Sequence, residues 1–117
     1  MRQPPSVDAW GGGGFRVAGV WRPGSLLIVD DAAGDWSPAS LADLTPDDFA
    51  RVMARRDAVE FVLLGTGLVP GLPSRAVRDA LKAVGIGLEF MATEAAARTY
   101  NIVASEGRRV AAALIAV

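Results

Sequence analysis

Glu60-Phe61-Val62-Leu63-Leu64-Gly65-Thr66-Gly67 decides how this chain folds. Phe61 through Leu64 is an unbroken run of large apolar residues, bounded by Asp57 and Gly65. It is long enough for a strand and too short for an independent helix. A strand apolar on both faces belongs in the middle of a sheet with cover on each side, so residues 60–64 are read as a central strand. Gly65 and Gly67 then release the chain into a turn, and Pro70 and Pro73 keep a helix from starting directly behind it.

Downstream, strands and helices alternate. Ser74 caps a helix whose Ala76, Val77, Ala80, Leu81 and Val84 recur at helical spacing and which Gly85 and Gly87 end. Residues 88–91 return as a strand. Thr93-Glu94 opens a third helix, with Ala96, Tyr100 and Val103 on one face and Glu94 and Arg98 paired at i,i+4. Gly107 stops it, and residues 109–116 form a last strand, apolar on both faces.

Upstream, Thr45-Pro46-Asp47-Asp48 places a hydroxyl before a first-turn proline and acids, followed by Phe49, Val52 and Met53. This predicts a helix over residues 46–56. Before it the pattern is β. Phe15, Val17, Gly19 and Trp21 alternate with Arg16, Ala18, Val20 and Arg22, and Arg22-Pro23-Gly24-Ser25 then supplies turn chemistry ahead of residues 26–29. Residues 30–35 read as a second turn, with a short strand at 35–37. Pro4, Pro5 and the glycines 11–14 predict a flexible tail over residues 1–12, leaving one α/β domain at 13–117. The expected architecture is α/β and three-layered: a mixed β-sheet with an N-terminal β-meander followed by three α/β crossover units.

Composition narrows function mainly by exclusion. The chain has no cysteine and no histidine. Thiolate and imidazole nucleophiles, the usual base near neutral pH, and zinc sites built on Cys or His are thereby removed. The formal net charge is −1 and the basic residues, of which only Lys82 is a lysine, are dispersed, so no nucleic-acid footprint is expected. The longest apolar stretch, residues 110–117, falls far short of the ~20 residues that cross a bilayer. The first ten residues carry no apolar signal core. A cytoplasmic, non-enzymatic protein without cofactor or metal is the expectation.

Several motifs carry a functional and a plain reading. Gly65, Gly67 and Gly71 are spaced G-x-G-x-x-x-G at the end of a central strand, where open α/β sheets place ligand crevices. The spacing departs from a dinucleotide fingerprint. An anion approaching the backbone and a turn shaped only by chain geometry both account for it. Arg108 and Arg109 beside Gly107 can hold a carboxylate or phosphate, or pair with nearby acids on a solvated turn. Asp30, Asp31 and Asp35 match no calcium loop and read as turn formers. Trp10, Trp21 and Trp36 all fall in the β region, where they suit core or lid packing.

Taken together, Gly14-Phe15, Gly24-Ser25, Trp36, Leu63-Leu64-Gly65-Thr66-Gly67, Met91-Ala92-Thr93 with Ala95-Ala96, Arg98-Thr99-Tyr100-Asn101 and residues 106–114 resemble a known family from about Val7 onward. It is the small domain shared by adipogenesis-associated domain-containing proteins, a mitochondrial complex I assembly factor, and uncharacterised bacterial and archaeal proteins. The resemblance implies a three-layer fold, a cleft near residues 65–67, no established enzymatic activity, and action through protein contacts during complex I assembly. Without an Arg/Ser-rich leader the sequence looks like a free-standing bacterial member. On the same resemblance Gly65, Thr66, Gly67, Arg75, Thr93, Arg98, Thr99, Asn101 and Arg108 are the candidate cleft residues. A protein partner is the expected occupant, and a small anion bound at the glycine loop, by a carrier or an enzyme, is the alternative.

Overall fold

The computed structural model describes residues 2–117. A five-stranded mixed sheet forms its middle, ordered β5-β4-β8-β6-β7. These strands are β4 (Ser25–Val29), β5 (Ala32–Trp36), β6 (Phe61–Gly65), β7 (Gly87–Met91) and β8 (Val110–Leu114). β6 runs parallel to both β7 and β8, and β4 is antiparallel to β5 and β8. β5 therefore points the same way as β6, and all three connections from β5 onward cross over between parallel strands, as the alternation requires.

The side chains of β6 divide between two cores. Phe61 and Leu63 join α3 (Thr93–Ser105), while Val62 and Leu64 join the opposite face with α1 (Ala50–Ala54) and α2 (Arg75–Ala83). β8 splits likewise, Ala112 and Leu114 against Ala111 and Ala113. α2 and α3 both end in the doubly bonded glycine turn: Ile86 N–H donates to Leu81 and Gly85 N–H to Lys82, then Arg108 N–H donates to Val103 and Gly107 N–H to Ala104.

The N-terminal region departs from expectation in three places. Residues 7–11 are not a tail: β1 (Val7–Gly11) pairs with β2 (Gly14–Val17), and Val7 is buried beside α3, so the glycines that looked too loose for structure make the tight turn between two strands. The single strand expected over residues 15–21 is broken at Ala18-Gly19 into β2 and β3 (Val20–Pro23), which pair antiparallel. Third, the turn chemistry of Arg22-Pro23-Gly24-Ser25 reads as a β-hairpin signal, but β3 does not pair with β4. Gly24, at φ 83°, turns the chain out of the three-stranded sheet β1-β2-β3 and into the central one. The outer layer on this face is consequently half helix, α3, and half sheet.

Two boundaries also shift. β5 begins at Ala32, three residues earlier than expected, because Asp30 and Asp31 fill a two-residue turn at φ 50° and 64°, a conformation Asp tolerates. The helix expected over 46–56 is three short pieces: 3-10 turns at Pro46–Phe49 and Arg56–Ala58 flank α1. Its start is fixed as anticipated, with Asp48 Oδ2 accepting from Thr45 N–H at 2.8 Å. Trp36 is buried here, its Nε1–H donating to Asp48 C=O at 2.8 Å and its ring edge-on to Phe49.

Candidate functional site

The turn after β6, the start of α3 and the end of β8 meet at one point. Ile115 N–H donates to Gly65 C=O at 3.0 Å, and Thr93 N–H to Gly67 C=O at 2.9 Å. Thr93, with no exposed surface, donates its hydroxyl to Ile115 C=O at 2.8 Å and accepts Gly67 N–H at 3.0 Å. Thr66 N–H reaches Met91 C=O at 2.9 Å. The Thr66 hydroxyl lies 2.8 Å from Val69 C=O and 3.1 Å from Met91 C=O, and accepts Gly71 N–H at 3.1 Å.

A hydroxyl has one proton to give, so both threonines have spent theirs on backbone carbonyls. The N–H groups of Thr66, Gly67 and Gly71 are likewise engaged within the protein. An anion cradle needs such groups pointing outward. Gly65 is required here for contact rather than flexibility: a Cβ on it would stand 2.8 Å from Thr93 Oγ1 and 2.9 Å from Thr93 Cα.

What this braced turn displays is apolar. Leu68 is 84% exposed, Val69 69% and Leu72 64%, interleaved with Pro70, Gly71 and Pro73. Beside them lies a hollow of about 410 Å³ lined by Trp10, Gly11, Gly12, Gly67, Leu68, Glu94 and Val117. Arg98 contacts two of the lining residues, its guanidinium 5.5 Å from the Trp10 ring centroid and 3.2 Å from the Glu94 carboxylate.

The candidate residues thus separate into groups. Gly65, Thr66, Gly67 and Thr93 form one bonded unit. Arg98 lies at its rim, and Thr99 donates to Met91 Sδ at 3.7 Å on the flank. Asn101 is elsewhere, bonded at 2.8 Å to both the N–H and the C=O of Val7, where it fastens the small sheet to α3. Arg75 opens α2 on the opposite face of the central sheet and stands 3.8 Å from Asp79. Arg108 pairs with Glu60 and lies 4.6 Å from the Phe61 ring centroid. That is the other end of β6, ~15 Å from Gly65 at strand spacing, and the ion pair holds its guanidinium above its ordinary pKa.

Sequence reasoning assigned Trp10 to core or lid packing and passed over Leu68, Val69 and Leu72. Their signal was present: large apolar residues between prolines, in a loop unable to form the helix or strand that would bury them. Two other features involve neighbouring arginines. Asp30, Asp31 and Asp35 are held separately by Arg55, Arg2 and Arg22, and no cluster of three metal-ligating side chains occurs among the described residues. A hollow of about 480 Å³ beside the β4–β5 hairpin is flanked by Arg51 and Arg55, which are committed to Asp35 C=O and Asp30.

No helix among the described residues is long and apolar enough to cross a membrane. Residues 7–115 match the family model described as protein of unknown function DUF498/DUF598. An uncharacterised protein of Rhodobacter capsulatus is 40% identical over 93% of this chain and 82% of its own length. Human NADH dehydrogenase [ubiquinone] 1 alpha subcomplex assembly factor 3 is 29% identical over 93% of this chain, which spans only 59% of the human protein. Among solved structures, a Bartonella henselae chain described as an outer membrane protein superposes with TM-score 0.93 at 33% identity, covering 97% of this chain and 96% of its own. A Bordetella parapertussis protein gives 0.88 at 33% identity, covering 100% and 99%. With the match running from the first strand to the end of the last, the chain belongs to the DUF498/DUF598 family, whose relatives include complex I assembly factor 3.

Proposed function

We propose that this chain is a non-catalytic, cytoplasmic protein-binding module that serves the assembly of a respiratory complex, and that it grips its partner with residues 68–72. The observation that carries the reading is the pairing of a rigid base with an apolar tip. Every hydroxyl proton at the base is committed to backbone, and three large apolar side chains stand in solvent beyond it. Exposed apolar groups held on a rigid scaffold suit an interface, since little ordering entropy is lost on docking. The relatives named as complex I assembly factors indicate the class of partner.

The test is affinity capture from the native host with the wild type and with a Leu68→Asp, Leu72→Asp double variant. Subunits of the NADH dehydrogenase complex recovered by the wild type and lost in the variant are expected. Equal recovery by both, or recovery of no such subunit, contradicts the reading. Anion binding is separated by thermal shift in inorganic phosphate: a ligand at 100 times its Kd adds about 2.7 kcal/mol of stability, whereas the proposed module responds no more than it does to chloride.

A further inference from the structure

β7 is an edge strand, with β6 on one side and, among the described residues, no strand on the other. The ladder tells which of its groups stand free. Gly87 N–H donates to Glu60 C=O and Met91 C=O accepts from Thr66 N–H, so both turn their backbone toward β6. In a parallel ladder alternate residues face alternate neighbours. Glu89 therefore faces β6 as well, and the N–H and C=O of Leu88 and Phe90 point out from the open edge. Such a row is a template for another strand.

The opposite edge of the sheet is treated differently. On β5, Arg51 donates to Asp35 C=O at 2.6 Å and Arg22 to Ala33 C=O at 3.4 Å. Two arginines thus occupy the outward carbonyls of β5, and among the described residues none does so on β7.

The side chains of Leu88 and Phe90 open into a hollow of about 440 Å³ between β7 and α2, walled also by Ile86, Arg78 and Lys82. Phe90 is 38% exposed. Arg78 and Lys82 lie one turn apart on the same helix face, where like charges repel. Neither has a carboxylate within 4 Å among the described residues, since Asp79 is turned to Arg75. Arg78 gives its Nε–H to Pro73 C=O at 3.2 Å, which engages one N–H of the guanidinium and leaves its charge without a counter-ion. An apolar floor, a pair of cations with no carboxylate partner and a free backbone edge coincide.

We propose that β7 receives an extended segment of an acidic partner protein by strand addition, its carboxylates on Arg78 and Lys82 and its apolar side chains over Leu88 and Phe90. Backbone pairing supplies affinity in this mode and the flanking groove supplies selectivity. The groove uses none of residues 68–72 and the proposal does not depend on the assembly role.

The probe is an acetylated, amidated peptide, Val-Thr-Glu-Thr-Val-Thr-Glu, which sets valine and glutamate on one face of a strand; the control carries lysine for glutamate. Both are titrated into the 15N-labelled full chain. The acidic peptide should shift the amides of Leu88 and Phe90 and slow their hydrogen exchange about tenfold when present at ~10 times its Kd. The lysine peptide should bind at least about tenfold more weakly, a difference of ~1.4 kcal/mol, and Arg78→Glu with Lys82→Glu should reverse the order. Should that double variant lose its fold by circular dichroism, Lys82→Gln alone is read for weakened binding. The Leu68→Asp, Leu72→Asp variant keeps the response. Absence of shifts along residues 88–90, equal binding of both peptides, or a β7-mediated homodimer in light scattering, which would set two cation pairs against each other, overturns the proposal.

Discussion

The two ends of β6 are fastened by opposite means. At the C-terminal end, Gly65, Thr66 and Thr93 are packed out of solvent and joined to β7, α3 and β8 through backbone groups and two hydroxyls. At the N-terminal end, Arg108 and Glu60 make a half-exposed ion pair, with the Arg108 guanidinium over the ring of Phe61. A buried polar group left without a partner costs far more than an exposed pair contributes. The first end is consequently where stability and shape are concentrated, and the second is where the surface is merely neutralised.

Thr93→Val breaks the comparison most sharply. The volume is kept, but Gly67 N–H and Ile115 C=O lose their buried partner together, with an expected cost of about 2–4 kcal/mol in urea unfolding. Thr93→Ser, which retains the hydroxyl, should recover most of it. Gly65→Ala comes next, at about 1–3 kcal/mol, because the new methyl overlaps Thr93 Oγ1 and Cα, and the backbone of α3 has nowhere to retreat.

Tyr100 gives an intermediate case, being buried like Thr93 but with its hydroxyl bonded to Pro5 C=O at 2.9 Å near the surface. Burial pushes the phenol up from its ordinary value of 10.0. The folded protein holds it neutral while the unfolded chain ionises, so stability is unaffected by this group well below pH 10 and falls as pH rises through it. The slope grows from half its limiting value at pH 10 toward about 1.4 kcal/mol per pH unit, the linkage value for one proton. Tyr100→Phe should cost about 1 kcal/mol at neutral pH and remove that slope, read by urea unfolding at pH 9 to 11. At the small end, Arg108→Ala should leave the unfolding midpoint within experimental error, since its pair is solvated. A loss as large as that of Thr93→Val would invert the comparison.

The sequence announced the central sheet because β6 and β8 are apolar at every position, a pattern that only a strand covered on both faces explains. It announced α2 and α3 through Ser74, Gly85 and Gly107, which act locally. It hid the small sheet. Glycines 11–14 have no intrinsic preference for a strand, and β1 is held by partners far along the chain, Asn101 on Val7 and Val117 on Gly13. The helix expected over 46–56 broke up for a related reason: capping fixed its start, but nothing local fixed its hydrogen-bond pattern beyond Phe49. Of the site, the Gly65–Thr66–Gly67 turn was legible because small residues at a strand end mark close approach, and Thr93 was added to it by the resemblance. Arg75, Asn101 and Arg108 were grouped with it by sequence resemblance, which carries no information about which end or face of the sheet a residue occupies. The exposed Leu68 and Leu72 escaped notice because apolar residues are ordinarily assigned to a core.

The Gly65–Gly67 turn is a brace whose donors are already used. Titrating the 15N-labelled protein with inorganic phosphate while following the Thr66, Gly67 and Gly71 amides tests this directly. Unmoved resonances, with the Gly67 amide exchanging as slowly as those of β6, are the predicted result. Saturable shifts at those amides, with Gly67 exchanging like an open loop, would make the turn a binding site for anions and contradict the account.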